Sequence, residues 1–346
     1  MTRTLAGAAV GFLLLAAPWS TALAQEDEEY RFDGVADEDP QPDDPTDWMT
    51  SVNWSDGGLD PLPPFGPEIP DFGTSAVVIT DEFGVNAPVI GPGDVAEAFD
   101  VRIGRFAGTG LLTMTGGTLT TVDSCLQGPF TCNRRIRVGA AQVELPSNRN
   151  PGTFDLIDGV VTTDTLWIGS GSTGTMNMSG GTVNTRSNLS LDWTFDAGST
   201  LNMTGGVINV GTVFADGVRM YRNSVLNLDG GEIFIAGAAN FGLLGAANSQ
   251  GGEEPANVTV SITDGLLQAS DTMLINGAAS VLGGILRADD FDESASTGLV
   301  EIGGSGLLQF NNASESIADI EALISAGTFF TNGSSGDVRC GSDVGG

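Results

Sequence analysis

One short pattern recurs along most of this chain and limits what it can fold into. The stretch Leu166–Thr185, LWIGSGSTGTMNMSGGTVNT, holds an apolar pair, a glycine turn, alternating Met176 and Met178, and a Gly180–Gly181 corner followed by Val183. Variants begin at Gly108 (GTGLLTMTGGTLTT), Pro151 (PGTFDLIDGVVTTD), Gly198 (GSTLNMTGGVINV) and Asn223 (NSVLNLDGGEIFI), with looser copies from Asn257 and Ala278. Taking the last glycine of each corner as marker, the copies fall at Gly117, Gly159, Gly181, Gly206, Gly231, Gly265 and Gly284. A basic unit of about 20 to 25 residues with occasional insertions is the mark of a repeat architecture.

Within each copy Leu201 and Met203 face one way and Asn202 and Thr204 the other, a two-residue period that means strand. The runs are too short to be sheets alone, and glycine breaks each one. Coils of two or three strands that stack about 4.8 Å apart bury what a single coil cannot. The inward column then reads Leu112/Met114, Phe154/Leu156, Met176/Met178, Leu201/Met203, Leu226/Leu228 and Val260/Ile262. The expected fold is all-β, a right-handed parallel β-helix with a short C-terminal capping helix, the hand following the general crossover preference. An antiparallel β-sandwich is the alternative, although it has no need of the same glycine corner in every copy.

Composition narrows function. The 50 glycines suit a chain that turns every few residues. The formal net charge of −31 argues against nucleic acid and anionic membranes as partners. There is no histidine, and all 13 basic residues are arginines. This removes His-based triads, His-ligated metals, Schiff-base lysines and P-loop chemistry.

Residues 1–24 read as a signal peptide, with Arg3, the apolar run Val10–Ala17 and Ala22-Leu23-Ala24 before Gln25. The run is too short for a permanent membrane span, so the mature chain is expected to be exported, extracellular or at the cell surface, without membrane insertion. Residues 25–46 form an acidic, proline-bearing segment, read as a disordered linker whose spacing lacks the pattern of a calcium loop. Residues 47–99 form an N-terminal cap region; Trp48 and Trp54 either plug the open end of the coil or offer a sugar-stacking platform. Repeats occupy 100–311. Within them Cys125 and Cys132 are expected to close a local disulfide across an inserted loop, a redox pair being the rival, and Cys340 is left over. In residues 312–346, SIADIEALISA places Ile317, Ile320, Leu323 and Ile324 on one helical face, with Ser316 and Asp319 at its start and Gly327 as its stop.

The G-T-G-x-L-T-M-T-G-G-T copies, preceded by Ile103-Gly104 or Ile168-Gly169, resemble a group of secreted repeat proteins from planctomycetes and from bacteria bearing PEP-CTERM sorting signals. Trp48…Asn53-Trp54-Ser55 and IADIEALISAGTF are similar to parts of that group, and the similarity covers roughly residues 47–330. The resemblance implies a cell-surface or matrix β-helix without assigned catalysis. The chain ends in CGSDVGG instead of the PEP motif, apolar segment and basic tail of the sorted members, which points to release or passive association.

Three constellations are candidates for a site. The outward column Thr113, Asp155, Asn177, Asn202, Asn227, Ser261 is a polar ladder; Asn177, Asn202 and Asn227 would meet sugar hydroxyls, or simply stitch a sheet face. The parallel column Thr118, Val160, Thr182, Val207, Glu232, Leu266 is too irregular for an ice-binding face. Arg219, Tyr221 and Arg222 could serve a polysaccharide lyase, Tyr or Arg as base and a second Arg on the uronate carboxylate; ion pairing with Asp216 is the plainer account. Asp289, Asp290 and Asp292, with Glu293, could hold Ca²⁺ or supply the acid and base of a glycoside hydrolase; an acidic loop is the plainer account. The sequence reading is therefore a secreted structural or adhesion-type β-helix touching polysaccharide or cell-surface matrix along one face. The alternative is a polysaccharide lyase or glycoside hydrolase.

Overall fold

The computed structural model describes residues 48–49, 87–104, 109–121, 134–140, 150–192, 198–212, 217–221, 223–241, 257–292, 296, 298–311 and 317–331, with strands also at 29–32, 54–55, 75–78 and 337–340. Among the described residues it is all-β apart from one short helix, Ile317–Ser325. Through the middle of the stack the strands pair in parallel with their counterparts one repeat earlier and one repeat later. The strands close into a ring of three ladders, consistent with a solenoid. Among the described pairings, antiparallel ones occur only between Arg31–Phe32 and Trp54–Ser55 and at the bridge Ala140↔Gly171. The parallel registers rule out the antiparallel sandwich.

The first ladder carries the expected inward column. Leu112, Phe154, Met176, Leu201, Leu226, Val260, Ala279, Val300 and Phe329 lie in register from coil to coil, as do Met114, Leu156, Met178, Met203, Leu228, Ile262, Val281 and Ile302. All of these side chains are buried. The second ladder follows each glycine corner and buries Leu119, Val161, Val183, Ile208, Ile233, Leu267, Leu286 and Leu308. The third is built from Val101/Ile103, Ile136/Val138, Leu166/Ile168, Leu189/Leu191, Val218/Met220 and Ala239/Phe241. The three apolar stripes meet in one dry interior. No stripe could bury itself within a single coil, which is why the repeats stack.

A polar seam runs along the interior below the second ladder. Thr121, Thr163 and Thr185 point inward and are fully buried, and the Thr121 hydroxyl donates to that of Thr163 at 2.7 Å. Higher coils replace them with Val210, Ile235 and Ala269.

Both ends are closed by aromatic side chains. Trp48 is completely buried and its backbone N–H donates to the Val89 carbonyl, so it acts as the plug of the first coils; the Trp54 side chain lies outside the described residues. At the far end Phe291, Phe310 and Phe329 form a buried cluster with ring centroids 5.2 to 6.2 Å apart. The helix interrupts the last coil and does not terminate it, because Phe329–Phe330 and Asp337–Cys340 extend the first and second ladders beyond it. It ends as the sequence predicts. Gly327 takes φ +78°, its N–H reaches the Ile324 carbonyl, and Thr328 N–H reaches Leu323, the paired bonds of a Schellman stop. Leu323 is buried, but Ile324 is exposed, since a helix of 9 residues laid on the coil covers a narrow stripe only.

In-register stacking also starts earlier than residue 100. Ser75–Val78, Val89–Ile90 and Val95–Glu97 pair with the strands of the next coil. Within the acidic segment read as disordered, Glu29–Phe32 forms a strand on Ser75–Val78. Its Tyr30 and Phe32 supply the period-two β-formers that a stacked strand requires.

Candidate functional site

The outward face of the first ladder brings Asp155, Asn177, Asn202 and Asn227 into direct register. The Asn177 amide donates to Asp155 Oδ1 at 2.8 Å, Asn202 to Asn177 Oδ1 at 2.9 Å, and Asn227 to Asn202 Oδ1 at 2.9 Å. Each interior amide gives one hydrogen to the coil below and takes one from the coil above. What remains for a ligand is one N–H and one lone pair per residue. The ladder thus works first as a stitch between coils. Asn202→Ala severs two of these half-buried bonds and is expected to lower unfolding stability by about 1–2 kcal/mol. Guanidinium titration checks this; an unchanged midpoint would mean that the amides hold nothing.

The Arg219–Tyr221 pair lies on and just beyond the strand Val218–Met220; Arg222 falls outside the described residues. Arg219 points outward and is half-buried, whereas Tyr221 is 6% exposed. Burial pushes the Tyr221 phenol above its ordinary value, with the charge of Arg219 and a hydrogen bond to it opposing. A base must be deprotonated to act, so this environment works against the lyase role. The raised value also sets a linkage. The neutral phenol's contribution to folding is complete below pH about 10 and is lost as pH climbs through the higher folded value. The chain has 2 tyrosines. An alkaline absorbance titration should show one of them ionising late, and Tyr221→Phe should remove that component and the accompanying loss of stability.

The carboxylates of Asp289 and Asp290 have separate partners. Asp289 accepts from Asn311 at 3.2 Å and Asp290 accepts from the Phe291 N–H at 3.0 Å. Among the described residues no group of three acidic, His or Cys side chains converges on a metal position, so the calcium reading of Asp289, Asp290 and Asp292 gains no support. Adjacent strand positions point to opposite sides, which keeps neighbouring carboxylates apart. Cys125, Cys132 and Glu293 lie outside the described residues.

The structure also assembles a charged cluster that the sequence reading missed. On the outward face of the third ladder Arg102, Arg137 and Trp167 stand in register, with Asp100 and Arg135 beside them. Asp100 is 1% exposed; its Oδ2 accepts from Arg102 Nε at 2.6 Å and lies 2.9 Å from Arg137 Nη2. The Arg135 guanidinium lies 4.2 Å from the centre of the Trp167 ring and that of Arg137 lies 5.7 Å away. Burial lowers the pKa of Arg135, Asp100 opposes this, and Arg102 adds to it. A buried carboxylate held by two guanidinium groups and flanked by a stacked third is a structural clamp between coils. The signal was present in the tripeptides Arg102-Ile-Gly, Arg137-Val-Gly and Trp167-Ile-Gly, whose leading residues occupy one column.

A second feature is a shallow pocket of about 210 Å³ on the outward side of the second ladder, around Phe234. Asn209, Phe234 and Gln268 stand in register across three coils, where the neighbouring coils carry Asn184 below and Arg287 above. Compared with family models, with curated proteins and with solved structures, the chain finds no match.

Proposed function

We propose that this chain is exported and serves as an extracellular structural or adhesive rod, a right-handed parallel β-helix that contacts polysaccharide or cell-surface matrix along one long face. The observation that carries this reading is the uninterrupted in-register stack from Val89–Ile90 to Phe329–Phe330, whose outward positions form straight polar files such as Asp155–Asn177–Asn202–Asn227. A straight lattice of amides repeating about every 4.8 Å suits an extended polymer better than a small substrate. The signal-like residues 1–24 support export, the net charge of −31 supports solubility in an external medium, and the general preference for right-handed crossovers supports the hand. The resemblance to secreted planctomycete and PEP-CTERM-associated repeat proteins supports the same setting.

The competing reading as a polysaccharide lyase depends on Arg219, Tyr221 and Arg222, and the burial and raised pKa of Tyr221 weigh against it. One experiment separates the two. The mature chain from Gln25 is incubated with a panel of neutral and uronate polysaccharides, with and without calcium, while retention and new unsaturated ends are both followed. The proposal expects retention on at least one polymer without cleavage. Turnover that disappears in Tyr221→Phe would replace it with the lyase reading.

A further inference from the structure

The geometry points to a binding site for a neutral polysaccharide at Phe234, on the second ladder, distinct from the asparagine face of the first. This inference rests on the polysaccharide contact proposed above and gives it a location and a ligand class.

Phe234 interrupts a file of amides. Asn209 and Gln268 lie one strand spacing away on either side, and Asn184 one further spacing below Asn209. The ring is half-buried, with the apolar backing of Val210 and Ile235, and the rim is completed by the hydroxyls of Thr212 and Ser270. Among the described residues that line the pocket none is charged, in a chain whose net charge is −31. The occupant is therefore an uncharged molecule with one apolar face and several hydroxyl groups. A pyranose ring has both: its axial C–H face covers an aromatic ring and its equatorial edge carries hydroxyls.

The flanking amides are already oriented for such a ligand. Asn209 donates its Nδ2 to Asn184 Oδ1 at 2.9 Å, which leaves its carbonyl oxygen as an acceptor. Gln268 has its oxygen engaged by Arg287 Nη1 at 3.1 Å, which leaves its NH₂ as a donor. Arg287 is itself fixed, because its Nε donates to Gln309 at 3.0 Å. The ring is thus bracketed along the ladder axis by an acceptor on one side and a donor on the other. A sugar hydroxyl can answer either, being donor and acceptor together. Because the bracketing residues repeat along the ladder, a linear polymer lying parallel to the stack would place its next rings over Asn209 or Gln268. Arg287 is committed to Gln268 and Gln309, and a polyanion is repelled by the chain's overall charge of −31.

The test is affinity electrophoresis of the mature chain through gels containing soluble β-glucan, galactomannan or xylan, with polygalacturonate as the acidic comparison. At least one neutral polymer should retard the chain. Phe234→Ala and Gln268→Ala should each weaken that retardation about tenfold or more, equivalent to about 1.4 kcal/mol or more. Gln268→Ala removes no core volume, and melting curves of both variants identify any loss due to unfolding. Retardation by a neutral polymer that survives both variants but falls in Asn202→Ala overturns this inference while leaving the polysaccharide contact in place on the asparagine face. Retardation by polygalacturonate alone overturns the inference and keeps a polysaccharide contact of another chemistry. No retardation in any gel overturns both.

Discussion

Gly152→Ala is expected to cost more than about 4 kcal/mol, in the range reserved for substitutions the fold cannot accommodate. Gly152 begins the first-ladder strand of its coil. A Cβ built there would fall on the Ile103 carbonyl oxygen and on the Gly139 amide nitrogen, both backbone atoms of the third ladder. Neither can withdraw without breaking a coil-to-coil pairing, since Ile103 is paired with Val138 and Gly139 accepts from Ser172 N–H. The same constraint applies at Gly110 and Gly174, whose added Cβ atoms would strike the same corner one coil below and one coil above. Gly93 provides the contrast. It takes φ +94° with nothing within 4 Å of an added Cβ, so Gly93→Ala meets only backbone strain of about 1–2 kcal/mol. Chemical denaturation of the two variants side by side separates a need for space from a need for conformation. Equal losses would mean that the corner packs less tightly than described.

Asp100→Asn should be the most damaging isosteric change, costing about 3–5 kcal/mol, the usual price of leaving buried charge without its counter-charge. The substitution keeps the shape of the side chain and removes the carboxylate charge that lies 2.6 Å from Arg102 and 2.9 Å from Arg137, and Arg135 loses the opposing charge that favours its ionised form. Because Asp100 is buried, added salt should recover little of the loss, whereas salt readily screens an exposed pair. Thermal melts of Asp100→Asn in low and high salt check both parts. A small loss, or one that salt abolishes, would reassign the cluster to the solvated surface.

How far the molecule was legible depends on how its parts encode themselves. The first and second ladders were readable because glycine corners give the register: the columns Leu112 to Val260 and Thr113 to Ser261 stack as the alternation predicted. The third ladder was harder. Its strands are three to six residues in places, such as Val218–Met220 and Arg135–Ala140, and follow insertions that hide their spacing. Only the Ile-Gly and Val-Gly pairs flag it, which is why Asp100, Arg135 and Trp167 were not joined in advance. The strand Glu29–Phe32 was concealed by its acidic neighbours, since composition averages over a segment while pairing needs only four alternating residues. The candidate sites were legible as positions and not as states. That Asn202 would be bonded on both sides, and that Tyr221 would be buried, depends on what the adjacent coils place beside them. Phe234 was not singled out in the sequence, because its place between Asn209 and Gln268 shows only when the second outward column of the second ladder is aligned.

The central claim is that successive coils lie parallel and in register, one strand spacing apart. Pairwise spin-label distances test it most directly, in a chain whose native cysteines are replaced. One label is fixed at Thr113 and the other placed in turn at Asn227, Ser261, Ser280 and Glu301, which occupy successive coils on the same outward column. The stack predicts distances that lengthen in equal steps of about 4.8 Å from one position to the next. Distances that level off, or that shorten at any step, would mean that the chain folds back on itself and that the coils are not stacked.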